Sequence, residues 1–223
     1  MISNFELNAV NELHMDLSNK PLACIWNNSI YQRMLLHAIN FNYTHTIGIL
    51  LSYGVNPNGT YASGYSPIHL AVICEHQDSI NKLLEHGGNL DQPSLGKLET
   101  PLHMAAANDL VTIAKLLISF KCKLDCQDMN GNTALHMAVK NMEHDMVELL
   151  LDSGASPVIQ NTCNQIALDC IDLEQDRDLI LYNNISYATQ MWRIRAEKRK
   201  RYYTNVYTIG LFSIAMVVIA VFF

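Results

Sequence analysis

The chain has 223 residues, of which 49% are apolar and 16% charged, with a formal net charge of −6. This composition excludes an intrinsically disordered chain, and the acidity argues against a general nucleic-acid binder. The charge is uneven: residues 1–192 carry nine bases and 20 acids, whereas residues 193–223 carry six bases and one acid. The length allows one or two ordinary domains.

The N-terminal segment predicts a helical cap over residues 1–27. Leu7, Val10, Leu13 and Leu17 recur at helical spacing, so one apolar stripe can cover the open end of a core. Residues 1–20 contain no basic stretch followed by an apolar run, so no signal peptide is expected.

Three similar stretches follow along the chain, YSPIHLAV, ETPLHMAA and NTALHMAV. Their histidines are His69, His103 and His136, separated by 34 and 33 residues. A step of 33 residues backward reaches Leu36 in RMLLHAI, and a step of 33 forward reaches Asp169 in IALDCI. Each stretch precedes a second leucine-rich segment. The period therefore predicts five repeats, over residues 28–60, 61–94, 95–127, 128–160 and 161–185.

The period and the motif resemble the ankyrin repeat, in which T-P-L-H-x-A opens the first of two helices. The resemblance implies an all-α fold, an ankyrin-repeat solenoid of helix-turn-helix units with β-hairpin fingers, and the sequence adds one C-terminal transmembrane helix. Ser66, Thr100 and Thr133 are expected at helix N-caps, with Pro67 and Pro101 in the first turn.

No catalytic, cofactor or metal site is predicted. The three motif histidines could suggest a metal, but their recurrence once per repeat favours a structural role, in which each imidazole bonds backbone of its neighbours. The six cysteines contain no C-x-x-C pair, and the acids Asp125 and Asp128 lie in a predicted finger. No phosphate loop or hydrolase motif occurs, so the chain is expected to be no enzyme and to use no small-molecule substrate.

The fingers and first helices of such a stack form a concave side that is the usual place for protein ligands, as the resemblance implies. Four large finger side chains are expected to be exposed and to contact a protein partner: Tyr61, Tyr65, Lys97 and Met129. In the alternative interpretation they only cover the finger backbone. The acidity of residues 1–192 favours a partner with a basic surface.

A basic juxtamembrane helix is predicted over residues 186–201. Six of its side chains are expected at a membrane surface: Arg193, Arg195, Lys198, Arg199, Lys200 and Arg201.

Residues 202–223 contain no Asp, Glu, Lys, Arg or His and predict a transmembrane anchor, with a buried soluble helix as the alternative. By the positive-inside rule the N-terminal part would be cytosolic, which makes a single-pass, tail-anchored protein. The short span favours the endoplasmic reticulum or the mitochondrial outer membrane over the plasma membrane.

Three functions fit these features. The first is a non-catalytic, membrane-anchored ankyrin adaptor that binds a protein partner on the cytosolic side. The second is a viral or parasite ankyrin factor that sequesters a host signalling protein, suggested by the 21 Asn and 20 Ile of the chain. The third is a fragment of a larger ankyrin-bearing channel or transporter.

Overall fold

The computed structural model describes residues 29–61, 63–171 and 181–198. Within these ranges the helices form four consecutive pairs: α1 (Ser29–Asn40) with α2 (Thr44–Ser52), α3 (Pro67–Ile73) with α4 (Gln77–Glu85), α5 (Pro101–Ala107) with α6 (Val111–Ser119), and α7 (Ala134–Lys140) with α8 (His144–Asp152). A 3₁₀-helix, Ala167–Cys170, and a further helix over residues 181–198, here α9, follow.

The helix pairs stack in two layers. In the first layer α1 contacts α3, α3 contacts α5, α5 contacts α7, and α7 contacts the 3₁₀-helix; in the second, α2 contacts α4 and α6 contacts α8. The same core positions recur in each pair with exposed fractions of 1% or less: Leu35, Ile68, Leu102 and Leu135 in the first layer, and Leu50, Leu83, Leu117 and Leu150 in the second. Because equivalent positions are buried in every repeat, the stack contains two rows of buried aliphatic side chains, one in each layer.

The helix starts follow the sequence prediction. Ser66, Thr100 and Thr133 are N-caps with extended backbone, and Pro67 and Pro101 occupy the first helical position of α3 and α5. Proline is tolerated there because the first amide of a helix has no intrahelical acceptor. The three short first helices therefore begin at equivalent points of the stack.

The fingers between helix pairs are tight turns, which corrects the predicted β-hairpins, since no strand occurs among residues 29–61, 63–171 and 181–198. In one finger Asp128 N donates to Asn132 O at 2.9 Å, and this bond between the two arms of the finger does not continue into a ladder. Neighbouring fingers are joined by single backbone bonds: Leu95 N to Gly64 O at 2.7 Å, Met129 N to Lys97 O at 2.9 Å, and Thr162 N to Asn130 O at 2.9 Å.

Helix α9 lies against the last helix pair. Leu181, Ile185 and Thr189 are buried at four-residue intervals on one face, and a groove of about 620 Å³ runs between α9 and α8. The predicted boundary between residues 185 and 186 falls inside this helix, so the end of the last repeat and the basic segment share one element.

Several predicted segments lie outside the described residues. These are the N-terminal cap 1–27, the anchor 202–223, and the three basic residues Arg199, Lys200 and Arg201. In the part of the chain that the structure does describe, every helix is too short or too polar to cross a membrane.

Two finger glycines test how tightly the fingers stack. Gly131 and Gly96 both have positive φ, 73° and 88°. A Cβ on Gly131 would lie 2.8 Å from Thr162 N, whereas a Cβ on Gly96 would meet nothing within 4 Å. We expect Gly96→Ala to cost about 1 kcal/mol through backbone strain alone, and Gly131→Ala about 1–3 kcal/mol more through the clash. Urea unfolding measures both, and equal losses would show that the fingers are not closely stacked.

Candidate partner-binding surface

The three motif histidines join each repeat to the next. His103 Nδ1 accepts from Thr100 N at 3.1 Å, and because a backbone N–H can only donate, the proton of the neutral ring must be on Nε2. Nε2 then donates to Asn132 O at 2.9 Å, and the corresponding bonds run from His69 to Glu99 O at 3.0 Å and from His136 to Gln165 O at 3.2 Å. The structural interpretation of these histidines is confirmed.

All three rings are buried, with exposed fractions of 2% or less. Burial lowers the pKa of His69, His103 and His136, against a smaller opposing effect of the carbonyl that each ring contacts. Protonation would place a second N–H against the backbone amide that Nδ1 now accepts. The neutral form is therefore the one built into the stack.

Acidic side chains of the loops also serve the backbone. Asp125 Oδ1 accepts from Ser156 N at 2.8 Å, and the equivalent Asp91, one repeat earlier, accepts through its Oδ1 from Lys123 N at 2.8 Å. Asp128 Oδ1 accepts from Asn130 N and Asn132 N at 2.9 and 2.7 Å. Asp125 and Asp128 therefore stabilise the loop backbone through these hydrogen bonds. Asp169, at the histidine position of the last repeat, accepts from Ile166 N at 3.0 Å.

Two of the four predicted contact residues are less exposed than expected. Tyr61 is half-buried, its hydroxyl donates to Gln32 Oε1 at 3.3 Å, and burial raises the pKa of its phenol. Tyr65 is also half-buried, with its ring centroid 5.7 Å from that of His69. The expectation of free exposure was wrong for both tyrosines, because their rings fold back onto the first-layer helices.

Lys97 and Met129 are exposed, as predicted. The side chain of Lys97 is 66% exposed and its Nζ lies 3.9 Å from Glu99 Oε1, a distance at which an exposed ion pair adds little stability. Met129 is 57% exposed and bonded through its backbone to Lys97 of the preceding finger. The two side chains therefore project from neighbouring fingers that are held in register.

Both residues line a groove of about 730 Å³ between the fingers and the first-layer helices at the C-terminal end of the stack. Its wall also includes Met137 and Lys140 of α7. Met137 and Lys140 were not predicted from the sequence, although the helical period could have indicated them. With Leu135, Ala138 and Val139 in the core, positions 137 and 140 face outward. Tyr61 and Tyr65 do not line this groove.

A further apolar patch was missed on the second finger. Leu95 and Leu98 are 62% and 48% exposed, on either side of Gly96 and Lys97. The sequence could have indicated this patch, because two leucines stand close together inside one turn, where polar residues are usual. Among the described residues, no group of three or more His, Cys, Asp or Glu side chains is arranged to hold a metal ion.

Comparison with known proteins found a matching family and several relatives. A family model described as ankyrin repeats (3 copies) matches residues 2–94 and 88–161, more than half of the chain. Among curated proteins, "Putative palmitoyltransferase ZDHHC13" of Danio rerio is 29% identical over 94% of this chain and 30% of its own length. "Putative ankyrin repeat protein FPV240" of Fowlpox virus is 35% identical over 57% of this chain and 31% of its own.

A third relative is the potassium channel AKT2/3 of Arabidopsis thaliana, 32% identical over 57% of this chain and 16% of its own length. The chain thus spans less than a third of each of these three relatives. The ankyrin repeats that the family model matches imply a role in protein–protein interaction. The periodic helix pairs, the histidine bonds between repeats and the matching family model together show that the chain belongs to the ankyrin-repeat family.

Proposed function

We propose that the chain is a non-catalytic, membrane-anchored adaptor that binds a protein partner in the groove formed by its last fingers and α7. The observation that carries the proposal is the placement of Met129 and Lys97, exposed on two fingers that one backbone bond holds in register. Methionine surfaces adapt to different partners, and a groove built on rigid helices loses little entropy when it is filled.

The charges of the groove are mixed. Lys97 and Lys140 lie beside Glu99, Asp128 and Asp169, so the groove alone does not select a basic partner. Exposed acids are more frequent on the second-layer helices, at Asp78 and Glu85 of α4 and at Asp145, Glu148 and Asp152 of α8. A basic partner surface therefore fits the second layer better, where complementary charge would speed association.

Membrane attachment is the second part of the proposal. It is supported by the charge-free sequence 202–223 and the six bases that precede it, which suit a membrane anchor in the endoplasmic reticulum or the mitochondrial outer membrane with the stack in the cytosol.

Proximity labelling in cells tests the adaptor role. A labelling enzyme fused to the N-terminus should mark a set of neighbours in membrane fractions. Lys97→Glu together with Met129→Glu is expected to reduce labelling of the groove partner about tenfold, because central contacts of an interface are commonly worth more than about 1.4 kcal/mol. Lys115→Glu, an exposed charge change on α6, is the matched control.

Two results would contradict the proposal. Unchanged labelling in the groove variant would show that the groove does not bind the partner. Unchanged membrane fractionation after deletion of residues 202–223 would show that this segment is not the membrane anchor.

A second candidate function is a pathogen factor that sequesters a host signalling protein. The specific observation that favours it is the 35% identity with the Fowlpox virus protein. Partners that proximity labelling finds only in an infected or heterologous host would favour this function. The match to a plant potassium channel favours the third interpretation, in which the chain is a piece of a larger membrane protein. Additional membrane spans in a full-length transcript would support it.

A further inference from the structure

Helix α9 has two unlike faces. Leu181, Ile185 and Thr189 are buried on the face that lies against the stack. Away from this face Tyr187 and Ile194, seven residues apart, are 66% and 39% exposed, and Tyr187 also lines the edge of the groove beside α8. Seven residues are two helical turns, so these side chains form one outward apolar stripe.

Basic side chains border this stripe. Arg193, Arg195 and Lys198 are all exposed, and Arg195 also lines the groove beside α8. Glu197 is the only acid in residues 181–201. The neighbouring α8 presents Glu148 and Asp152 to solvent, so the change from an acidic to a basic surface occurs between two adjacent helices.

We propose that the outward face of α9 lies on an anionic lipid surface, with Tyr187 and Ile194 at the boundary of headgroups and acyl chains and Arg193, Arg195 and Lys198 near the phosphates. The inference rests on the membrane attachment proposed above and deepens it. A helix with this pairing of aromatic, aliphatic and basic groups is the type that lies in the plane of an interface.

Two further features favour lipid as the occupant. Four residues after Lys198 the charge-free segment 202–223 begins, which would already be in the bilayer under the proposed function. A second copy of α9 would bring like charges together, and this disfavours a helix dimer through the same stripe. With α9 flat on the surface, the last repeat would lie within about one helix diameter, roughly 10 Å, of the headgroups.

Photocrosslinking of the full chain tests this contact. The chain, with benzoylphenylalanine in place of Tyr187 or Ile194, is synthesised in the presence of lipid vesicles. The vesicles consist of phosphatidylcholine with about a quarter phosphatidylserine. The matched control carries it in place of Phe41, an exposed aromatic residue of the first helix pair. We expect lipid adducts at positions 187 and 194 at about five times the level at position 41 or more, because only the α9 positions would reach the lipid.

Removal of charge is the second arm. Arg193→Gln, Arg195→Gln and Lys198→Gln combined, or vesicles of phosphatidylcholine alone, are expected to reduce the lipid adducts about threefold or more, because basic groups add attraction only to anionic headgroups. Circular dichroism of each variant checks that the stack is folded.

Carbonate extraction of the same samples separates this inference from the anchor. Adducts to a second copy or to another protein at position 187, or no adducts in a chain that resists extraction, would overturn the lipid contact and leave the anchor standing. Lipid adducts in a chain that carbonate removes would support the contact and overturn the anchor.

Discussion

Acidification below about pH 6.5 is expected to destabilise the repeat stack steeply, because its three buried histidines are built in as neutral rings. The folded-state pKa of each is lowered by burial, so below about 6.5 the unfolded chain binds protons that the folded chain does not. Their contribution to stability is complete above that pH and is lost as the pH falls towards the lowered folded pKa values. Over this range the free energy of unfolding is expected to fall by about 1.4 kcal/mol per pH unit for each histidine, or about 4 kcal/mol per pH unit for all three.

Urea unfolding between pH 5 and pH 8 measures this slope. His136→Gln keeps a polar side chain of similar reach and removes one titrating group, so the slope should fall by about a third. The variant will also be less stable at pH 8, because the bond to Gln165 O is weakened, but that loss does not depend on pH. A slope that is the same in the variant would show that the acid sensitivity comes from other groups.

The features that the sequence predicted best are those that repeat. Each motif histidine recurs at the same offset in a helix start, so its partners could be inferred to lie in the next repeat, and the structure shows those bonds. Gly87 and Gly154 follow the second helices of their repeats with positive φ, 83° and 98°. Lys121 takes the equivalent position in the repeat between them and adopts the same left-handed conformation, with φ of 62°. Backbone geometry in a repeat array is imposed by the neighbours as well as by the local residue.

The features that the sequence predicted poorly depend on side-chain direction. Tyr61 and Tyr65 are in a finger, where large side chains are usually exposed, yet both are half-buried against first-layer helices. Leu95 and Leu98 show the reverse, since leucine is usually buried and here it projects from a turn. Residue type alone cannot distinguish these cases, because a turn of five residues has no periodicity to assign its faces.

Leu117→Ala is expected to be among the most destabilising single substitutions in the stack. Leu117 has no exposed surface and belongs to the second row of the core, in a helix that contacts both α5 and α8. Truncation leaves a cavity that the surrounding helices cannot close without breaking their own contacts, at a cost of about 2–5 kcal/mol. Urea unfolding at pH 8, where the motif histidines are neutral, measures the loss apart from the titration.

Leu116→Ala is the matched control, since it makes the same chemical change one residue earlier in the same helix. Leu116 is half-buried at the edge of the core, so part of the space it leaves is open to water and the expected loss is about 1 kcal/mol. Because α6 lies in the middle of the described stack, the larger loss should also weaken the coupling between the repeats on either side. A broadened or two-step transition is then expected for Leu117→Ala and a single one for Leu116→Ala. Equal losses in the two variants would mean that the second row of the core does not hold the repeats together.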